Sequence, residues 1–249
     1  MRLPFRPKLW PTVISVPMFL VMVGLSIWQV QRLHWKEALI AERVGRTTGA
    51  PIAMPEPGTE IAAIEFHRVA LQGQFDHAHE FDLAARSQNG NVGYWIVTPF
   101  KLDANGPGGG ETVLVNRGWV PLEKRLPATR PAGQIPGETT LDGVIRVPQE
   151  KAFFQPENEP QNNVWFYLAP AQMAGFAHIQ ARTDLYLDAG PEANPGGFPI
   201  GGQTRINLPN DHLQYAITWA LLAIALAAVY VIYHLKLERE GDGSKRGGP

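Results

Sequence analysis

His212 lies in Asn210-Asp211-His212-Leu213-Gln214-Tyr215, immediately before an uncharged run that extends from Leu213 to Tyr233. A neutral imidazole at that boundary between water and lipid can coordinate the iron of a planar porphyrin whose ring lies in hydrocarbon, with its propionates reaching polar donors nearer the surface. If a helix starts near His212, Tyr215 and Trp219 fall on the same side at i+3 and i+7. The alternative is a polar helix start, with Asn210 or Asp211 as N-cap and the two rings anchoring in the headgroup layer. A similar cluster, Trp28, Gln29, Arg32 and Trp35, ends the first uncharged run. Trp28, Arg32 and Trp35 share one helical face, and Arg32 could pair with a carboxylate such as a propionate or simply snorkel.

Two further groups have chemical potential. Asp76, His77, His79, Glu80 and Asp82 crowd one short segment. On a strand, His77 and His79 would share a face and could hold zinc or copper, although metal sites usually draw ligands from distant segments and a solvated turn explains the same residues. Arg117, in Val113-Leu114-Val115-Asn116-Arg117-Gly118-Trp119, interrupts an otherwise apolar strand. It is either a buried ion-pair partner or an anion contact, and it joins His212, Tyr215, Trp219, Trp28 and Arg32 in the candidate cofactor-binding set.

What must position these residues follows from the distribution of apolar side chains. The chain has 249 residues, 45% of them hydrophobic, a formal net charge of -1 and no cysteine. The charge balance offers no field for nucleic acid, and the lack of cysteine excludes disulfides, thiolate metal sites and thiol nucleophiles. GxSxG, HExxH and P-loop signatures are absent, which favours a non-enzymatic role. Segments 12–30 and 213–233 are long and apolar enough to cross a bilayer as helices, which makes the lipid bilayer itself a partner. The expected organisation is therefore a cytoplasmic head (1–11), a transmembrane helix (12–30), a middle domain (31–212), a second transmembrane helix (213–233) and a cytoplasmic tail (234–249). Lys236, Arg239, Lys245 and Arg246 put the C-terminal end of the second span inside, so that both termini are cytoplasmic and the middle domain is outside, periplasmic in a bacterium. Trp28-Gln29-Val30-Gln31-Arg32 stands where a signal peptide would need small residues, so the first span reads as a retained anchor.

Within the middle domain, residues 31–46 continue as a juxtamembrane helix. Runs at 68–75, 94–100, 112–120, 140–147, 164–168 and 184–188 show strand character between frequent Gly and Pro breaks. The expected fold is a predominantly antiparallel β sheet or small barrel of α+β type between two transmembrane helices. Asn105 to Gly110 reads as a flexible loop, and Pro191 to Gly202 as a linker toward the second span.

The chain resembles the Surfeit locus protein 1 family over nearly its whole length. The resemblance rests on Trp28-Gln29-Val30-Gln31-Arg32 with Trp35-Lys36, Gly73-Gln74-Phe75-Asp76-His77 with Glu80, Gly93-Tyr94 and Thr98-Pro99-Phe100. It continues through Leu114 to Pro121, Phe154 to Asn158 with Trp165, and His212-Leu213-Gln214-Tyr215-Ala216. It implies assembly of cytochrome c oxidase, binding of haem a with His212 as the iron ligand, and delivery to the oxidase catalytic subunit, with haem a synthase as a further partner. The short head, lacking a long Arg- and Ser-rich presequence, favours a bacterial inner membrane. Two other functions compete: a copper-handling module using His77 and His79, and a scaffold without a cofactor.

Overall fold

The computed structural model describes residues 7–246, and side chains up to residue 237. Arg2 and Arg6, together with the side chains of Arg239, Lys245 and Arg246, lie outside the described residues. The described residues form two compact units, one containing residues 7–42 and 207–246, the other residues 43–206.

The first unit is a pair of long helices. α1 runs unbroken from Leu9 to Thr48, through Pro17, so the apolar span and the amphipathic stretch beyond it are one element whose last turns belong to the second unit. α4 runs from His212 to Arg246. Both are long and apolar enough to cross a membrane. They pair antiparallel, because Gln29 meets His212, Ser26 Oγ donates to the Ala216 carbonyl (3.0 Å), Thr12 meets Tyr230 and Lys8 meets His234. Each step along α1 is matched, to within one residue, by a step along α4 in the opposite direction. Ala216 and Ala223, two turns apart on α4, are buried. Without a hydrophobic driving force inside lipid, small residues that admit close backbone approach, together with interhelical hydrogen bonds, hold such a pair.

The second unit is a β barrel with a covering layer. Its strands are β1 (Arg68–Phe75), β2 (Phe81–Gln88), β3 (Asn91–Leu102), β4 (Thr112–Pro121), β5 (Glu138–Arg146), β6 (Val164–Trp165) and β7 (Tyr186–Ala189), with short helices α2 (Ile61–Ile64) and α3 (Pro170–Ala177). The sheet order is β1-β5-β7-β4-β3-β2-β6, and β1 also pairs with β3, closing a five-stranded barrel. Most pairings are antiparallel, but β4–β7 and β2–β6 are parallel. To close the barrel β1 keeps β5 on one edge and, from Gly73 to Phe75, takes β3 on the other; Gly73 admits that approach, because a Cβ there would stand 2.2 Å from the Lys101 carbonyl oxygen.

The expected alternation along β1 is present, with Val69, Leu71, Gly73 and Phe75 turned inward. β4 shows no alternation because both of its faces are covered. Val113 and Val115 point into the barrel against Phe75, Phe100, Ile145 and Leu187. Leu114 points outward into a second core with Phe81, Trp165, Met173 and Tyr186.

The turn expected after β1 is present, with His77 to His79 forming a single 3-10 turn, but the side chains of Glu80 and Asp82 are buried and Phe81 begins a strand that was not expected, β2, whose alternation is hidden by burial on both faces and a bulge after Leu83. Two other expectations change. Strand character at 164–168 and 184–188 shrinks to the shorter β6 and β7. Pro191 to Gly202 is no loose linker, since Ile200 exchanges two backbone hydrogen bonds with Trp119 (2.8 and 2.9 Å). Gly118 permits this, because its φ is +121° and a Cβ there would lie 1.9 Å from the Ile200 oxygen.

Candidate functional site

The paired helices bring His212 and Gln29 together. His212 is the first residue of α4, and its Nδ1 lies 2.6 Å from Gln29 Oε1. An amide oxygen only accepts hydrogen bonds, so Nδ1 is the donor to Gln29 and Nε2 is the nitrogen turned away from this bond. Nε2 has no hydrogen-bond partner among the described residues. A ring held through Nδ1–H by a carbonyl-type oxygen, with the other nitrogen open, is the arrangement that orients imidazoles as metal ligands.

Around this pair the two helices place large, partly exposed rings: Trp28 is 49% exposed, Trp35 52% and Tyr215 56%. Trp219 is half-buried. The Arg32 guanidinium stacks 4.2 Å above the Trp35 ring, which leaves its N–H edge free for an anion while the ring holds its plane. Lys36 Nζ donates to the Pro209 carbonyl, tying α1 to the segment that leads into α4, and the neighbouring Asn210 Oδ1 is buried without a hydrogen-bond partner. The Tyr215 N–H bonds the Asp211 carbonyl (3.2 Å), which makes Asp211 the N-cap position by its backbone. At about 1.5 Å per residue, His212 and His234 lie about 33 Å apart along α4. That distance is close to the thickness of a bilayer core.

Arg117 belongs to the barrel unit, where it meets a carboxylate. Its side chain is 1% exposed, with Nη1 3.6 Å from Glu80 Oε1. Nη2 donates to the Gly133 carbonyl (2.6 Å) and to Asn194 Oδ1 (3.1 Å), and the guanidinium lies 4.6 Å from the Phe75 ring centre. Glu80 is shared with Arg130, which reaches both carboxylate oxygens at 3.3 and 2.5 Å. Burial alone would raise the Glu80 carboxyl, but hydrogen bonds from His77, Arg130 and Gln134 outweigh it and hold it at about 2. Burial pulls the Arg117 guanidinium down to about 10, opposed by Glu80 and assisted by Arg130. Both therefore remain charged at neutral pH.

The same carboxylate decides the geometry of the histidine pair. His77 Nδ1 faces Glu80 Oε1 at 3.3 Å and Nε2 faces the Ile135 carbonyl at 3.1 Å, so both of its nitrogens address oxygen acceptors. His79 Nδ1 faces Asp76 Oδ2 at 2.6 Å. The strand face that His77 and His79 were expected to share is replaced by the 3-10 turn, and no group of three or more metal-ligating side chains occurs among the described residues.

Residues 16–224 match the SURF1 family. The chain belongs to that family. Surfeit locus protein 1 of Homo sapiens is 37% identical over 222 residues, which cover 83% of this chain and 72% of the human protein. A SURF1-like protein of Monosiga brevicollis is 35% identical over 250 residues, covering 96% of this chain and 90% of its own length. A SURF1-like protein of Drosophila melanogaster is 36% identical over 225 residues.

The SURF1 family match spans both members of the Gln29–His212 pair, the Arg32–Trp35 stack and the whole barrel, and ends before His234. Of the residues singled out by spacing, Trp28, Arg32, His212, Tyr215 and Trp219 lie in the helical unit and Arg117 in the barrel unit. Sequence spacing gave no role to Gln29, because hydrogen bonding between helices depends on their register rather than on separation along the chain. A signal did exist: Gln29 is an uncharged polar residue one position from the end of an apolar run.

Proposed function

We propose that the chain is a membrane-anchored assembly factor for cytochrome c oxidase that holds haem a through His212 and hands it to the oxidase catalytic subunit. Membership of the SURF1 family supports the assembly role. The observation that carries the haem assignment is the Gln29–His212 hydrogen bond, which leaves Nε2 as the open nitrogen of the imidazole beside the half-exposed rings of Trp28 and Tyr215. These residues fit a haem: a nitrogen ligand, flat apolar surface for a porphyrin face, and the cation of Arg32 for a propionate. Haem a is cargo here, and its iron would accept the Nε2 lone pair. Gln29 fixes the tautomer, the aromatic rings exclude water from the face they cover, and Arg32 positions the acidic edge. A single neutral ligand at an open surface permits release to a recipient offering stronger ligation, and haem a synthase is the natural donor. In this reading Arg117 supports the barrel and touches no cargo.

The test is an absorption spectrum of the protein purified from cells that make haem a. A Soret band with stoichiometric haem a is expected; bound copper without haem, or neither, would overturn the assignment in favour of a copper module or a scaffold without a cofactor.

The same reading places both termini in the cytoplasm of a bacterium and the barrel in the periplasm, supported by the basic residues that follow the second span. An alkaline phosphatase fusion at Gly108, in a partly exposed turn, should be active; an inactive fusion beside an active C-terminal one would reverse the topology.

A further inference from the structure

The loop between β5 and β6 presents two adjacent phenylalanines to water. Phe153 is 91% exposed and Phe154 93%, and they pack edge-on against each other with ring centres 4.8 Å apart. Scattered exposed apolar residues need no explanation, but this pair sits on a turn built to hold it out. The Gln155 N–H bonds the Ala152 carbonyl (2.9 Å), and the Ala152 N–H bonds Gln155 Oε1 (3.2 Å). Gln155 Nε2 anchors the turn to the Phe166 carbonyl (2.7 Å).

On the C-terminal side Asn158, 8% exposed, accepts from the Phe166 and Tyr167 N–H groups and donates to Gln172 Oε1 (2.8 Å). The turn is thus closed on itself between Ala152 and Gln155 and fastened to the covering layer at Gln155 and Asn158, directly after the two rings. A slack loop would let them fold back onto the domain; this one prevents it. Preformed aromatic anchors of this kind lose little conformational entropy on binding and are the residue type that dominates interface energetics.

The surroundings choose between partners. From Glu150 to Glu159 the loop carries three glutamates and one lysine, Lys151, which is paired with Glu157. An acidic collar gains nothing from an anionic or zwitterionic headgroup layer, whereas it complements lysine and arginine around an apolar pocket. We propose that the Phe153–Phe154 turn is a docking knob that seats both rings in an apolar pocket with a basic rim on a protein. Resting on the assembly role proposed above, that protein is a subunit of the oxidase under assembly.

The experiment uses the full chain in its native membrane. With a benzophenone amino acid in place of Phe153, irradiation should join the chain to an oxidase subunit, and Glu150→Lys with Glu159→Lys should lower the yield at least tenfold. Phe153→Ser with Phe154→Ser should reduce co-purification of the oxidase subunit at least tenfold while the thermal midpoint and the haem spectrum stay unchanged, since neither ring is buried. Adducts to lipid alone, or no adduct, would overturn the knob, as would undiminished co-purification of the double serine variant. Deleting the chain separates the two ideas. Normal oxidase in the deletion strain rejects the assembly role itself, whereas a defective deletion strain fully rescued by the double serine variant rejects only the knob.

Discussion

Replacing His212 by alanine is expected to remove the Soret band of the purified protein and to lower the yield of haem-loaded oxidase, while the chain still inserts because the apolar run of α4 is untouched. If His212 merely began a helix, the change would cost about 1 kcal/mol or less and leave any spectrum alone. Gln29→Leu supplies the graded control. It removes the acceptor that fixes Nδ1–H while keeping the ligand, and loss of such an orienting partner typically weakens metal binding about 10- to 100-fold. Arg32→Ala should weaken binding without altering the iron's ligand-field bands, since it removes only a contact to the propionate edge. A His212→Ala protein with an unaltered haem spectrum and full oxidase assembly would end the assignment, and a Gln29→Leu protein with unchanged affinity would remove the role given to the interhelical hydrogen bond.

Glu80→Ala should have the largest effect on stability. It leaves Arg117 and Arg130, 1% and 4% exposed, without their shared carboxylate. Stranding buried charge in this way costs about 3–5 kcal/mol. For a unit of this size that corresponds to a fall in melting temperature of about 6–20 °C. The same carboxylate makes the barrel acid-sensitive, with a definite sign. Its folded value of about 2 lies below the ordinary 4.5, so the native state prefers the ionised form. That preference stabilises the fold fully above about pH 4.5 and is lost as pH falls toward 2, a change of up to about 3 kcal/mol. Thermal midpoints measured from pH 6 to pH 2 should fall through that window for the parent protein and show a shallower fall for Glu80→Gln, which carries no charge to lose. A Glu80→Ala protein melting within about 1 °C of the parent would show that the ion cluster is not what holds this end of the barrel.

The two mutations act on parts of the molecule that were unequally legible. The spans could be read directly, because uninterrupted apolar runs of bilayer length leave few other states for the backbone, and the helices α1 and α4 contain them. β1 could be read to the residue, since one wet face and one dry face impose a period of two. β2 could not: with Phe81 to Ala84 buried in succession, burial on both faces erases the alternation, and Asp82 reads as solvated although it is buried against Arg125 at 2.7 Å. The stretch from Pro191 to Gly202 misled for the opposite reason. Its glycines and prolines suggest slack chain, yet Gly118 leaves room for Ile200 to pair with the edge of β4.

Residue types and spacing alone brought out His212 at the polar start of an apolar helix, Tyr215 and Trp219 three and seven residues further along it, and a β-rich domain between two long apolar helices, because each depends on neighbours within a few turns or one strand. Which nitrogen of His212 faces a partner, that this partner is Gln29, and the closure of the barrel through β1 and β3 were decided only by tertiary structure. So was the sharing of Glu80 between two buried arginines. All of these are meetings between residues far apart in the chain, and their geometry is set by interhelical register and strand order, which periodicity does not encode.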